Sequence, residues 1–376
     1  MKKILIDVNS IVGLYVRGYL SGIGRTTYEL VSAMAKLDNL PFDVTLYSQN
    51  MKGIGARNMG LFKSKHLYLP HRRNYDRFVG MLPIKELFTS YDLLHIPHNF
   101  EFVHAPQKTI VTLHDALFMK MQESAFSHER MKQEVPPLIR ACKAIITCSD
   151  CSKRDIVETM DVEPDKIHVI PWGVRHDIFF PIQDKVKVRK QLEGKFGFKA
   201  PYFFSVSCNM DRKNTPRLID VYIELAQKGI KNDLCLVWNA PQKIRDKVFQ
   251  AGMEDRIHFV NNVSDDELRL LYAGATATIF LSLYEGFGLP ILESMACGTP
   301  VISSDTSSLP EVGGDAPIYI DPMDNISIRE ALMSFESNNY NRDNLIQKGI
   351  ARAAGFSWKR CAEETIKVYQ QYLTQK

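Results

Sequence analysis

Across 376 residues the chain has no uncharged stretch long enough to span a membrane. The longest, Leu270–Tyr284, falls short of the ~18 apolar residues that a spanning helix needs, and it contains Gly274 and two threonines. The opening residues, Met1–Val8, have the length of a buried strand and lack the apolar region of a cleavable leader, so a cytoplasmic protein is expected. Cysteine is sparse: the seven residues are odd in number and scattered, which argues against a disulfide framework and fits reduced thiols. Cys148 and Cys151 have C-x-x-C spacing, but no second pair and no thioredoxin-like context accompany them, so a structural role is expected. There is no internal repeat at a 20–50-residue period and no low-complexity segment. A net charge of +4 is mild, and with no recognisable RNA- or DNA-binding motif beside it no nucleic-acid partner is expected. The first strand is not followed at once by a tight G-x-G-x-x-G turn, which disfavours an NAD-dependent dehydrogenase.

What is present is an ordinary globular composition, 45% hydrophobic and 24% charged, on a chain comfortable for two domains. Short β-rich runs recur at Lys3–Val8, Asp43–Tyr47, Leu93–Ile96, Thr109–Leu113, Ala144–Thr147 and Ile167–Ile170. A second set follows at Tyr202–Val206, Leu234–Val237, Ile257–Val260, Ala277–Leu281, Pro300–Ile302 and Ile318–Ile320. Helical patterns lie between many of them; Thr26–Leu37, for example, places Leu30, Val31, Met34 and Leu37 on one face. Strand–helix alternation at this spacing predicts an α/β protein with two doubly wound parallel sheets, joined near the proline-bracketed stretch Pro171–Pro181.

The segment with the most chemistry is Glu285-Gly-Phe-Gly-Leu-Pro-Ile-Leu-Glu293. Pro290 suits the first position of a helix, and Gly298 its left-handed stop. Gly286 and Gly288 allow backbone N–H groups to approach an anion at the helix N-terminus, with Phe287 and Leu289 completing that backbone. Glu285 in the preceding loop and Glu293 on the first turn then face one bound molecule. Carboxylates accept hydrogen bonds from hydroxyls in pairs, so a phosphate at the helix tip flanked by two such acids describes a nucleotide-sugar site. No D-x-D pair flanks this site, and helix tips with lysine can supply the positive charge, so neither a metal nor a cofactor is expected.

The block from Glu285 through Ala316, EGFGLPILESMACGTPVISSDTSSLPEVGGDA, closely resembles the donor-site signature of the family 4 retaining glycosyltransferases, which adopt the GT-B fold. The resemblance extends over nearly the whole chain. It implies a hexosyltransferase with an acceptor-binding domain at 1–175, a donor-binding domain at 176–358, and a last helix, 359–376, crossing back to the first. Bacterial surface-polysaccharide or lipopolysaccharide assembly is the implied setting. Ser21-Gly22-Ile-Gly24-Arg25 looks like the family's glycine loop, facing the donor diphosphate across the interdomain cleft. His114, in the strand-end pair His114-Asp115, matches a histidine that contacts the transferring sugar; read alone, the pair is a general base with its orienting acid. Lys213 aligns with the family's diphosphate lysine, beside Arg212. Many relatives carry an arginine five positions earlier, where this chain has Cys208. A subgroup that lacks it often uses GDP-mannose, and Arg212 or Arg25 is a possible substitute.

The expected roles are therefore Glu285, His114 and Lys213 at the reaction centre. Gly22, Gly24, Arg212, Gly286–Leu289 and Glu293 are expected on the nucleotide. A sugar-nucleotide epimerase of the same fold and a non-catalytic glycan- or nucleotide-binding protein are the alternatives. Phe259–Leu268 resembles the family's nucleobase loop, although Ser264 and Glu267 also make an S-x-x-E capping box. Between Met51 and Tyr75, Lys52, Arg57, Lys63, Lys65, Arg72 and Arg73 occur with no acid among them. An anionic membrane attracts such cations at ~1 kcal/mol each, so docking of a lipid-linked acceptor is a further expectation.

Overall fold

The computed structural model describes residues 1–70, 80–98, 102–123, 128–198, 201–337 and 339–374. The chain divides into two compact units. The first comprises Met1–Lys120, His128–Gly173 and Trp358–Lys376, and the second Met121–Ser127 and Val174–Ser357.

The first unit is built on a seven-stranded parallel sheet: β1 (Lys3–Asp7), β2 (Asp43–Gln49), β3 (Lys63–Leu67), β4 (Leu93–Ile96), β5 (Thr109–Thr112), β6 (Ala144–Thr147) and β7 (Ile167–Val169). Their spatial order is β3-β2-β1-β4-β5-β6-β7. Every residue of β4, β5 and β6 is buried, as strands covered on both faces must be. Edge strand β3 is absent from the sequence expectation because Lys-Ser-Lys-His-Leu has no apolar run. Lysines on an edge strand deter pairing with another chain, and Lys63 and Lys65 are both exposed here.

Among the helices, α1 (Gly22–Ala35) buries Leu30, Val31 and Met34, and α2 (Glu129–Ala141) buries Val135 and Ile139. Helix α3 (Asp150–Met160) is capped by Ser149, whose Oγ accepts the Ser152 N–H at 3.0 Å. The C-terminal helix of this unit is anchored through a buried polar chain. Tyr369 Oη lies 2.6 Å from His95 Nδ1, and His95 Nε2 lies 2.8 Å from Thr112 Oγ1. Burial, with the neighbouring His98 and His114, pulls His95 down to about 3, so the ring is neutral and can donate through one nitrogen while accepting at the other.

The second unit holds a six-stranded parallel sheet: β8 (Tyr202–Val206), β9 (Asp233–Val237), β10 (Ile257–Val260), β11 (Ala277–Phe280), β12 (Val301–Ser304) and β13 (Ile318–Ile320). The order is β10-β9-β8-β11-β12-β13, so the chain winds outward in both directions from the β8–β11 pair. Helix α4 (Thr215–Gln227) covers one face with Leu218, Ile219, Tyr222 and Leu225. Helix α5 (Leu289–Ala296) follows β11, and helix α6 (Trp358–Thr374) ends the described chain in the first unit.

Candidate active site

Strands β8 and β11 are hydrogen-bonded neighbours, with Ala277 opposite Phe203 and Thr278 opposite Phe204. Being parallel, they deliver their following loops to the same edge of the sheet, while the helices that continue from them diverge. This is the switch point at which open α/β sheets form a binding crevice. The two loops are tied together: Leu283 N donates to Arg212 O at 2.7 Å, and Arg212 Nη1 to Tyr284 O at 3.2 Å.

Here three of the sequence-predicted residues of the second unit, Lys213, Arg212 and Glu285, converge. Lys213 Nζ lies 2.7 Å from Glu285 Oε1, and Arg212 Nη1 2.6 Å from Glu285 Oε2. Glu285 is buried, and burial alone raises its carboxyl; the charges of Lys213 and Arg212, with hydrogen bonds from Lys213 and Ser282, more than reverse this and bring it to about 2. Its main chain is fixed as well. Glu285 N donates to Ser307 Oγ at 3.0 Å, and buried Ser308 Oγ donates to Glu285 O at 2.8 Å and to Phe287 O at 3.0 Å. Gly288 is the N-cap of α5, with φ at +110°, and a Cβ there would stand 2.8 Å from Leu309 Cδ2. Both facts call for glycine.

Glu293 lies deeper than expected. Gly288 caps the helix, so Pro290 is its second residue and Glu293 its fifth, one turn in. The acid is buried, and its Oε2 accepts the Tyr272 hydroxyl at 3.0 Å. Gly298 does carry the left-handed conformation, at φ +71°. Cys208 is exposed after β8, and of its two proposed substitutes Arg212 stands beside Lys213, whereas Arg25 belongs to the first unit. The S-x-x-E reading holds: Ser264 N donates to Glu267 Oε2 at 2.5 Å and Glu267 N to Ser264 Oγ at 3.3 Å.

One acid of this cluster carried no sequence signal. Glu123, on a short segment grouped with the second unit, accepts Asp211 N at 2.6 Å and Arg212 N at 3.3 Å. Its Oε1 is 3.9 Å from Arg212 Nε. Among the described residues, no group of three or more His, Cys, Asp or Glu side chains has the arrangement of a metal site.

In the first unit, Ser21–Arg25 opens helix α1, with Gly22 and Gly24 in its first turn. Ser21 Oγ caps the helix by accepting Gly24 N–H at 3.1 Å. A Cβ on Gly24 would stand 2.6 Å from Ser10 O, while one on Gly22 would meet open space. Half-buried Arg25 follows on the same turn.

His114 follows β5 and is 4% exposed. Its carbonyl accepts from Cys148 Sγ at 3.0 Å and Ser152 Oγ at 3.1 Å, and its ring meets Trp172 edge-on at 5.0 Å. Burial, then the charge of His98, lowers the ring to about 3 against a hydrogen bond with the Pro97 backbone, so the imidazole is neutral. Asp115 accepts Leu117 N–H at 2.9 Å and starts the short helix Leu117–Lys120. Of the basic run, Lys52 lies in a turn, Arg57 donates to Tyr68 Oη at 3.3 Å, and Lys63 and Lys65 are on β3. Arg72 and Arg73 lie outside the described residues.

The chain matches two family models: Glycosyltransferase Family 4 over residues 20–178 and Glycosyl transferases group 1 over residues 189–352. The O-antigen chain mannosyltransferase B of Escherichia coli is 28% identical to it over 386 residues, spanning 93% of this chain and 96% of that protein. Sucrose-phosphate synthase from Thermosynechococcus elongatus shares the fold with a TM-score of 0.77 at 18% identity, over 99% of both chains. HepE of Anabaena, solved in complex with UDP and glucose, gives 0.74 at 16% identity over 98% of this chain and 100% of that one.

Proposed function

Because this chain belongs to the family 4 glycosyltransferases of GT-B fold, we propose that it transfers a hexose from a nucleoside diphosphate to a glycan or lipid-linked acceptor, with retention and without a metal. The donor we favour is GDP-mannose, in lipopolysaccharide or other surface-polysaccharide assembly. The name of the Escherichia coli relative supports the sugar, and Cys208 at the position of a common arginine supports the subgroup.

The observation that carries this reading is the buried Glu285 held by two cations at the switch point of the second sheet. On transfer, the bond from the anomeric carbon to the diphosphate oxygen breaks and charge builds on the leaving group. Lys213 and Arg212 are the side chains to stabilise it, at the loop ends where such charge is best met. The acceptor oxygen bonds to the same face of the anomeric carbon, and its proton passes to the departing phosphate. Glu285 receives sugar hydroxyls as its cations turn to the diphosphate. A carboxylate held near 2 is a weak nucleophile, which favours this role over a covalent intermediate. Glu293 is assigned to the ribose hydroxyls, which a carboxylate accepts in pairs. For the first unit, the resemblance supports a sugar contact for His114, whose ring is neutral, and a diphosphate contact for Gly22 and Gly24.

A thermal-shift screen against GDP-, UDP- and dTDP-sugars tests the donor, since ligand that binds the folded state raises its melting temperature by mass action. Release of free nucleoside diphosphate on adding acceptor distinguishes transfer from epimerisation. Glu285→Ala is expected to abolish turnover while nucleotide binding persists; equal loss of both sinks the assigned role.

Membrane attachment through Lys52, Arg57, Lys63 and Lys65, with Arg72 and Arg73, is part of the proposal. No helix among the described residues is long and apolar enough to cross a membrane. Liposome flotation with and without anionic lipid tests it, and unchanged partitioning after charge reversal of the six removes it.

A further inference from the structure

Glu123 has no place in the site described by the sequence motifs, yet its side chain is fully buried in it. Its two oxygens face two different backbone donors of one turn: Oε2 takes Asp211 N–H at 2.6 Å and Oε1 takes Arg212 N–H at 3.3 Å. The same Oε1 stands 3.9 Å from Arg212 Nε, while the far end of that guanidinium, Nη1, is 2.6 Å from Glu285. Arg212 is thus strung between two carboxylates, and Lys213, next in the same turn, completes a group of two acids and two bases.

This arrangement solves a problem that the proposed reaction sets. A guanidinium held by Glu285 alone has to abandon its only charge partner to reach a diphosphate. With Glu123 on its Nε side and under its backbone, Arg212 can release Glu285 and swing its terminal nitrogens to a phosphate while its root stays fixed. We propose that Glu123 is a positioning residue for Arg212: it anchors the Asp211–Lys213 turn and aims the guanidinium at the second phosphate of a nucleoside diphosphate. The inference rests on the glycosyltransferase reading above, and it makes Arg212 the residue that takes over from the arginine absent at Cys208.

The proposal runs against bare electrostatics, which makes it testable. A buried acid beside an anion site repels the anion, so charge alone predicts that Glu123→Gln tightens a diphosphate. Positioning predicts the reverse. A glutamine offers one acceptor and one amide donor where two backbone N–H groups converge, so it unseats the turn.

The experiment is calorimetric titration of the full chain with GDP, GMP, UDP and UMP, for wild type, E123Q, R212Q and the double variant. E123Q is expected to weaken the diphosphate that wild type binds by about tenfold and to change the matching monophosphate by less than about twofold. In the R212Q background the same change is expected to add less than about twofold, because the residue it positions is gone. Unchanged or tighter diphosphate binding by E123Q overturns the proposal, and so does parallel weakening of mono- and diphosphate. Should E123Q fail to fold, E123D, which keeps the charge but is one methylene short, is read by the same ratio. If wild type binds neither GDP nor UDP, the series is repeated with dTDP and ADP and their monophosphates; a wild type that binds none of the four diphosphates fails the glycosyltransferase reading itself and takes this inference with it.

Discussion

Glu285 ties the stability of the second unit to pH in a way that can be worked out in advance. Its carboxyl is lowered from an ordinary 4.5 to about 2. Between those values the unfolded chain binds the proton and the folded chain does not, so stability is fully present above about pH 4.5 and drains away as pH falls toward 2. At about 1.4 kcal/mol per pKa unit the whole effect is about 3.5 kcal/mol. Integration of the two titrations puts about 1.4 kcal/mol of it lost by pH 3.5 and about 2 kcal/mol by pH 3. The perturbation is Glu285→Gln, which mimics the protonated acid in size and cannot titrate.

At pH 7 the variant is expected to be less stable by about 3.5 kcal/mol, the cost of leaving two cations beside an uncharged amide. As the pH falls the gap should narrow, to about half by pH 3, since wild type loses what the variant never had. Urea unfolding of both proteins at pH 7, 5, 4 and 3 measures it. Other acid-sensitive groups, His95 and His114 among them, are common to both chains and cancel in the difference. A gap that stays constant with pH, or widens in acid, refutes the claim that Lys213 and Arg212 hold this carboxylate ionised.

Three further outcomes follow from the geometry. His114 is lowered from 6.5 to about 3, so the folded state loses stability as pH falls from 6.5; H114Q should show a smaller acid loss than wild type in the same titration. Gly288→Ala places a Cβ at φ +110° and 2.8 Å from Leu309 Cδ2, and should cost about 1–3 kcal/mol in urea unfolding. Gly24→Ala, 2.6 Å from Ser10 O, should destabilise by about 1–3 kcal/mol. Gly22→Ala, facing open space, should change stability by less than about 1 kcal/mol in the favourable direction, and thermal melts of the two side by side read the contrast.

Much of the architecture was legible because it rests on local pattern. Leu93–Ile96, Ala144–Thr147, Tyr202–Val206, Ile257–Val260 and Ile318–Ile320 are strands with the bounds read from their apolar runs. Such runs are what strands buried on both faces require. Strand β3 escaped because an edge strand buries little, and Lys-Ser-Lys-His-Leu is selected for a solvated edge. Glu293 was placed a little early because the helix start was read at the proline, whereas Gly288 holds the cap in a conformation that sequence does not display.

The sequence by itself determined the chemistry available: the acids at 285 and 293, the basic pair at 212 and 213, the histidine at 114, and the glycines that let the chain turn where it must. Tertiary structure alone decided which of them meet. Lys213 and Glu285 are 72 residues apart, and they pair because β8 and β11 lie side by side although β9 and β10 come between them in the chain. Glu123 is 88 residues from the N–H it accepts, with no motif to announce it. Local periodicity records which face of an element is buried, whereas the order of strands in a sheet is fixed by packing over the whole unit. Glu285 thus has its partners, and its charge state, only in the folded second sheet.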